Sequence, residues 1–174
     1  MDKILEKIKP LVHECALIDA TDIDFETSVR EACEANMCGF YNKRWTCPPA
    51  VGTLEECKAR CLKYKKALVF STYDNVEDSF DIEGMLNVRA DHDKVQAKVV
   101  DLIKDDLGEY LLLGAGGCTK CPKCSYPEPC RFKKEVIASV ESHGINVVTL
   151  AAKTKLHYHN GENTVTYFSV IFFG

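Results

Sequence analysis

The chain has 174 residues and a net charge of −4, with 26 acidic against 22 basic side chains, so no overall positive field draws it to nucleic acid or to an anionic membrane. With 46% hydrophobic residues it can bury a core without disulfide staples, and its length suits one domain over residues 1–174. The start, MDKILEKIKPLVHEC, is charged and lacks an apolar h-region, and no run is long enough to span a bilayer, so the expected address is the cytoplasm.

In chain order, Leu5, Ile8 and Val12 share a face and predict a short helix with Pro10 near its end. Residues 1–15 can be an appendage to the domain. ALIDA (16–20) reads as a short strand and TSVREACEA (27–35) as a helix. TLEECKARCLKY (53–64) opens with a capping-box pair, Thr53 and Glu56, and predicts a helix. KALVFSTY (66–73) reads as a buried strand. Asp74, Glu77, Asp78, Asp81 and Glu83 predict a solvated loop. A helix is expected from Asp91, carried by Val95, Val99, Leu102, Ile103 and Leu107 and stopped by Gly108. EYLLLGA (109–115) predicts a strand, KKEVIASVESHG (133–144) a helix ended by Gly144, and INVVTL (145–150) a strand. The tail from 155 to 173 predicts two strands around an Asn160-Gly161 turn. The fold class is α/β or α+β: a single compact domain with a mixed sheet, helices around it, and two cysteine-rich metal-binding loops.

Ten cysteines are many for such a chain. In a reducing cytosol, clustered cysteines point to metal or redox chemistry rather than to structural disulfides. Cys118, Cys121, Cys124 and Cys130 form C-x2-C-x2-C-x5-C. Three thiolates at successive x2 spacing wrap three corners of a cubane, and a more distant cysteine closes the cage. Zinc sites use two separated CxxC knuckles, and a shared middle cysteine crowds one small ion. The spacing favours a [4Fe–4S] cluster, with zinc as the alternative. Gly114, Gly116 and Gly117 allow close backbone approach, and Pro122, Pro127 and Pro129 stiffen the loop. Lys120, Lys123, Arg131, Lys133 and Lys134 outnumber Glu128 and form a basic collar that would offset an anionic cluster.

Cys33, Cys38 and Cys47 make a second group, in CEANMCGFYNKRWTCPP, with x4 and x8 spacing. Cys47-Pro48 resembles the Cys-Pro step that closes ferredoxin clusters. Trp45 and Tyr41 are candidates to shield a cluster. Three cysteines leave one iron open to a ligand, unless the groups interleave through Cys47 or Cys130. Cys57 and Cys61 share a helix face and read first as core residues, as does Cys15; Cys57 and Cys61 are the candidates for an extra ligand. His157 and His159 face one side of a predicted strand, while His13, His92 and His143 read as helix-surface or helix-end residues. No Ser-His-Asp or Cys-His arrangement stands out, and LLLGAGGCTK lacks the last glycine of a dinucleotide fingerprint.

The stretches CGFYNKRWTCPPAVGTLEECKARCLKYKKALVFST, YLLLGAGGCTKCPKCSYPEPCRF and NGENTVTYFSVIFF together resemble the DUF2284 family of predicted metal-binding proteins, from about Cys33 to the C-terminus. The resemblance implies metal binding at the seven cysteines Cys33, Cys38, Cys47, Cys118, Cys121, Cys124 and Cys130. It implies no reaction. The expected function is therefore that of an iron–sulfur redox protein with one or two [4Fe–4S] clusters. Three versions stand: an enzyme with an open iron for small-molecule or sulfur chemistry, an electron-transfer module with fully cysteine-ligated clusters, or a zinc-binding structural or interaction protein. The expected partner is a redox protein or a small ligand at the open iron, with neither nucleic acid nor membrane involved and a homodimer left open.

Overall fold

The computed structural model describes residues 2–174. Its elements in chain order are helix α1 (Asp2–Ile8), strand β1 (Glu14–Asp19), helices α2 (Thr27–Glu34) and α3 (Leu54–Leu62), strand β2 (Lys66–Asn75), helix α4 (Ile82–Leu107), strands β3 (Tyr110–Gly114) and β4 (Ala138–Ser139), helix α5 (Val147–Thr154) and strand β5 (Thr164–Phe173). The strands form one sheet in the order β1-β2-β5-β3-β4. All neighbours are antiparallel except β3 and β4, so the sheet is mixed and the fold is α+β.

The central strands explain the two cores. On β2, Ala67 and Val69 face one side while Leu68 and Phe70 face the other; on β5, Phe168, Val170 and Phe172 alternate with Ile171 and Phe173. Both faces are covered, which is why KALVF and SVIFF read as unbroken apolar runs. One face packs on α1 and α4 through Ile4, Ile8, Val99, Ile103 and Leu107. The other packs on Cys61 of α3, on Leu150 and Ala151 of α5, and on Val140 and Ile145. The capping box at Thr53 and Glu56 is formed, with Thr53 N–H donating to the Glu56 carboxylate at 2.8 Å and Glu56 N–H to Thr53 Oγ1 at 3.2 Å.

Four expectations are corrected. The helix expected from Asp91 starts at Ile82, because the Asp81 carboxylate accepts the Gly84 N–H at 2.8 Å and caps it, so Glu83 belongs to the helix rather than to a solvated loop. Residues 133–144 are not one helix: a turn leads to β4, whose Ala138 and Ser139 pair with Leu113 and Gly114, and a 3₁₀ turn at Glu141–His143 ends at Gly144 with φ +76°. INVVTL is not a strand, because the Asn146 side chain accepts the N–H groups of Val148 (3.0 Å) and Thr149 (3.4 Å) and so caps α5. Capping here outweighs the strand preference of the valines. The tail has one strand, not two: His157 donates its backbone N–H to the Glu14 carboxylate, and its ring Nδ1 also meets that carboxylate, each at 2.7 Å. That fastens residues 155–160 to β1 as a loop before the Gly161 turn, so His157 and His159 do not share a strand face.

Two histidines are also buried rather than at a surface. His92 lies on the stripe Val88, His92, Gln96, Val99, Ile103 and Leu107 that α4 turns to the sheet. Ser169 Oγ donates to Gln96 Oε1 at 2.6 Å, so it receives the proton of His92 Nε2 at 2.8 Å, and His92 Nδ1 accepts from Thr72 Oγ1 at 2.7 Å. Burial, with Arg89 nearby, lowers the His92 pKa to about 4. His143 is the second, and it belongs to the site.

Candidate metal centre

All ten cysteines are free thiols. Cys57 and Cys61 are buried on α3, and Cys61 sits in the apolar core, where burial pushes its thiol up to about 12. Cys15 packs beside the α1/α4 core. These three therefore stand apart from the other seven as core side chains.

The remaining seven divide into four and three. Cys118, Cys121, Cys124 and Cys130 line one small cavity, closed by Trp45, Thr46 and Phe132. Cys33, Cys38 and Cys47 line a second, open cavity of about 620 Å³. Cys130 lies with the Cys118 group and does not line the second cavity. Burial raises the thiol pKa of Cys33 and of Cys47; Arg30 opposes this at Cys33 and Arg44 at Cys47, while Cys38 acts on both. The three sulfurs of the smaller group are thus within electrostatic reach of one another.

The two groups adjoin. Thr46 Oγ1 accepts the Cys118 N–H at 3.3 Å. Trp45 donates its ring N–H to Glu128 O at 2.8 Å and meets Tyr126 edge-on at 5.1 Å. Tyr126 in turn donates its hydroxyl to Asn42 Oδ1 at 2.7 Å. Trp45 therefore joins one cysteine loop to the other instead of merely shielding a sulfur. Gly116 has φ +72°, and a Cβ there would lie 2.6 Å from Arg89 Nη1; one at Gly117 would lie 2.9 Å from Arg44 Nη1 and 3.7 Å from Cys47 Sγ. The glycine pair between the two groups is where two guanidiniums pack onto the backbone.

Behind Cys47 the loop is held by two arginines, Arg30 buried and Arg60 reaching in from an exposed position. Arg30 of α2 donates to Gly52 O at 2.7 Å and Ser142 O at 3.3 Å, and its Nη1 lies 3.7 Å from Cys57 Sγ. Arg60 of α3 donates to Val51 O at 2.9 Å and to His143 Nε2 at 3.0 Å. An arginine can only donate, so His143 Nε2 is unprotonated; burial and Arg60 lower its pKa to about 4. No spacing rule points to Arg30, Arg44, Arg60, Arg89 or Glu141. The one sequence signal was the Gly116-Gly117 pair, which announces a close approach without saying what approaches. Of the basic collar, Lys120 is paired with Glu135 at 2.6 Å.

Among the described residues, no three Cys, His, Asp or Glu side chains are gathered to hold a metal ion as they stand. The four cysteines of the larger group instead line a cavity with about 20 Å³ of free space. A metal bound by thiolate sits about 2.3 Å from the sulfur, well inside the contact distance of an unbonded atom. A bonded group therefore occupies space that free volume leaves out. The donor set is all thiol at both cavities, and soft thiolates suit iron–sulfur clusters and zinc. Hence the residues fit a thiolate-bound metal group. No helix among the described residues is long and apolar enough to cross a membrane.

Comparison with curated proteins and with solved structures finds no match. Residues 16–173 match the family described as "Predicted metal-binding protein (DUF2284)". That match spans both cysteine groups and all of the sheet but the first two residues of β1, so the chain belongs to the DUF2284 family of predicted metal-binding proteins.

Proposed function

We propose that the protein is an iron–sulfur redox protein with two [4Fe–4S] clusters, one closed and one with an open iron. The observation that carries this reading is the division of seven cysteines into four around one cavity and three around its neighbour. Cys118, Cys121, Cys124 and Cys130 would hold the closed cluster, and Cys33, Cys38 and Cys47 the open one. When bound, such clusters supply one-electron transfer and, at an iron lacking a fourth thiolate, a Lewis-acid site. The chain's own contribution is positional. Trp45, Thr46 and Tyr126 hold the two loops together, so electrons entering at one site have a short way to the other. Burial raises the thiols of Cys33 and Cys47, and the positive charge of Arg30 and Arg44 beside them offsets part of that cost.

The compartment consistent with ten free thiols is a reducing one, the cytoplasm. The proposed partner is a redox protein docking near the basic collar, or a small ligand at the three-cysteine site. The test is electron paramagnetic resonance on anaerobically isolated, reduced protein with and without cyanide. The expected result is two signals, of which cyanide shifts one, and Cys38→Ser removes the shifting one alone. Two signals that ignore cyanide would leave a fully ligated electron-transfer module instead.

A further inference from the structure

We propose that the cavity at Cys33, Cys38 and Cys47 is a binding site for a small organic anion, a carboxylate or a phosphate monoester on an apolar body, whose charged head is taken by Arg44 and Arg89. This rests on the reading above only in placing a metal group at the cavity wall.

The space is about 620 Å³, within the range of small-molecule sites. It forms where the sheet runs out of cover: β5 is buried from Phe168 onward, whereas Val165, Thr166 and Tyr167 are half-buried and line the cavity. The wall is largely apolar, with Val29, Val147 and Phe168 inside and Met37, Phe40 and Tyr158 at an exposed mouth. Such a wall holds a hydrocarbon or aromatic body and leaves orientation to few polar groups.

Those polar groups are unequal in charge. The cavity lining holds Arg44 and Arg89 against one acid, Glu141, while Arg89 is also ion-paired with Asp93 outside it. The two guanidiniums pack on successive residues, Gly116 and Gly117, so two like charges are held close together. Arg44 lies over the Phe40 ring at 3.6 Å and has no carboxylate partner among the described residues. Arg89 gives one N–H to Gly117 O at 2.8 Å; its Nε lies 3.5 Å from Asp93 without hydrogen-bond geometry. Donor capacity is therefore left over on both forks. A planar or tetrahedral oxyanion between two guanidiniums uses that capacity and relieves their repulsion. The apolar lining selects an organic anion over a bare inorganic one.

The experiment uses the anaerobically isolated, full-length protein with three probes of one shape: benzoate, phenyl phosphate and benzyl alcohol. Binding is followed by isothermal titration and saturation-transfer NMR, with iron content measured on the same samples. Benzoate or phenyl phosphate is expected to bind one per chain, the tighter of the two naming the head group, and benzyl alcohol at least about tenfold more weakly. Arg44→Gln and Arg89→Gln are expected to weaken the anion at least about tenfold, compared with wild type at the iron content measured on each sample. The Arg44 side chain makes no hydrogen bond among the described residues, so its variant tests the site even where loss of Arg89 disturbs the fold. No saturable anion binding by the wild type, equal binding of benzyl alcohol, or full binding by Arg44→Gln would each overturn the proposal. Protein that binds benzoate but contains no iron keeps this site and sinks the cluster reading instead.

Discussion

Arg30 illustrates how single residues set this molecule up. It is buried, it has no acid to pair with among the described residues, and its fork is spent on the carbonyls of Gly52 and Ser142. Replacing it by methionine keeps the bulk but strands two acceptors, Ser142 O buried and Gly52 O half-buried. The expected loss is about 2–3 kcal/mol of unfolding free energy in urea titration. Arg30→Lys should recover only part of it, since one ammonium cannot reproduce a two-pronged contact. An unchanged midpoint for Arg30→Met would show that the Cys47 loop is held by something else. Trp45 acts between loops rather than within a core. Trp45→Phe removes the bond to Glu128 O and should cost about 1 kcal/mol. Its specific signature is faster hydrogen exchange in residues 118–130, with the amides of β2 and β5 unaffected.

At the level of elements, α4 and the 3₁₀ turn each bury a neutral histidine, and this gives the fold a pH dependence. His92 and His143 have pKa values near 4 in the folded protein against 6.5 when exposed. Between these values the unfolded chain binds more protons than the folded one, so stability rises with pH across that window and falls as pH drops from 6.5 toward 4. Each histidine contributes up to about 3 kcal/mol to this fall. Denaturant midpoints measured from pH 7 to 4 on the metal-free chain should fall accordingly, and His92→Gln should flatten the slope by roughly half. An equally steep slope in that variant would remove His92 from the account. The same elements show what was legible in the sequence. The stripe of α4, the Thr53 capping box and the apolar runs of β2 and β5 could be read because each rests on a local period or a local pair. The failures have local causes too. Asn146 and Asp81 act as caps that composition hid, and His157 is fixed by Glu14, 143 residues away. The four-membered group can be proposed from spacing alone, since its members are neighbours in the chain and line one cavity. The arginines around the smaller group come from α2, α3, α4 and the loop before Cys47, and only the folded chain brings them together.

As a whole, the molecule is a two-faced sheet with both cysteine loops lying against one another at its edge. The cores lie between the sheet and its helices and use none of the seven site cysteines. Removal of metal by an iron chelator should therefore loosen residues 36–49 and 115–137 without dismantling the sheet. Far-UV circular dichroism should keep most of its signal while limited proteolysis opens new cuts in those two segments. Collapse of the dichroism on chelation would make the metal part of the folding core, as in zinc fingers. The central claim is that thiolates from two loops hold two iron–sulfur clusters. Its most direct test is the iron, acid-labile sulfide and zinc content per chain of anaerobically isolated protein. The account predicts about eight irons and about eight sulfides per chain, falling to roughly half in Cys121→Ser and in Cys38→Ser. A colourless protein carrying stoichiometric zinc and no sulfide would contradict it.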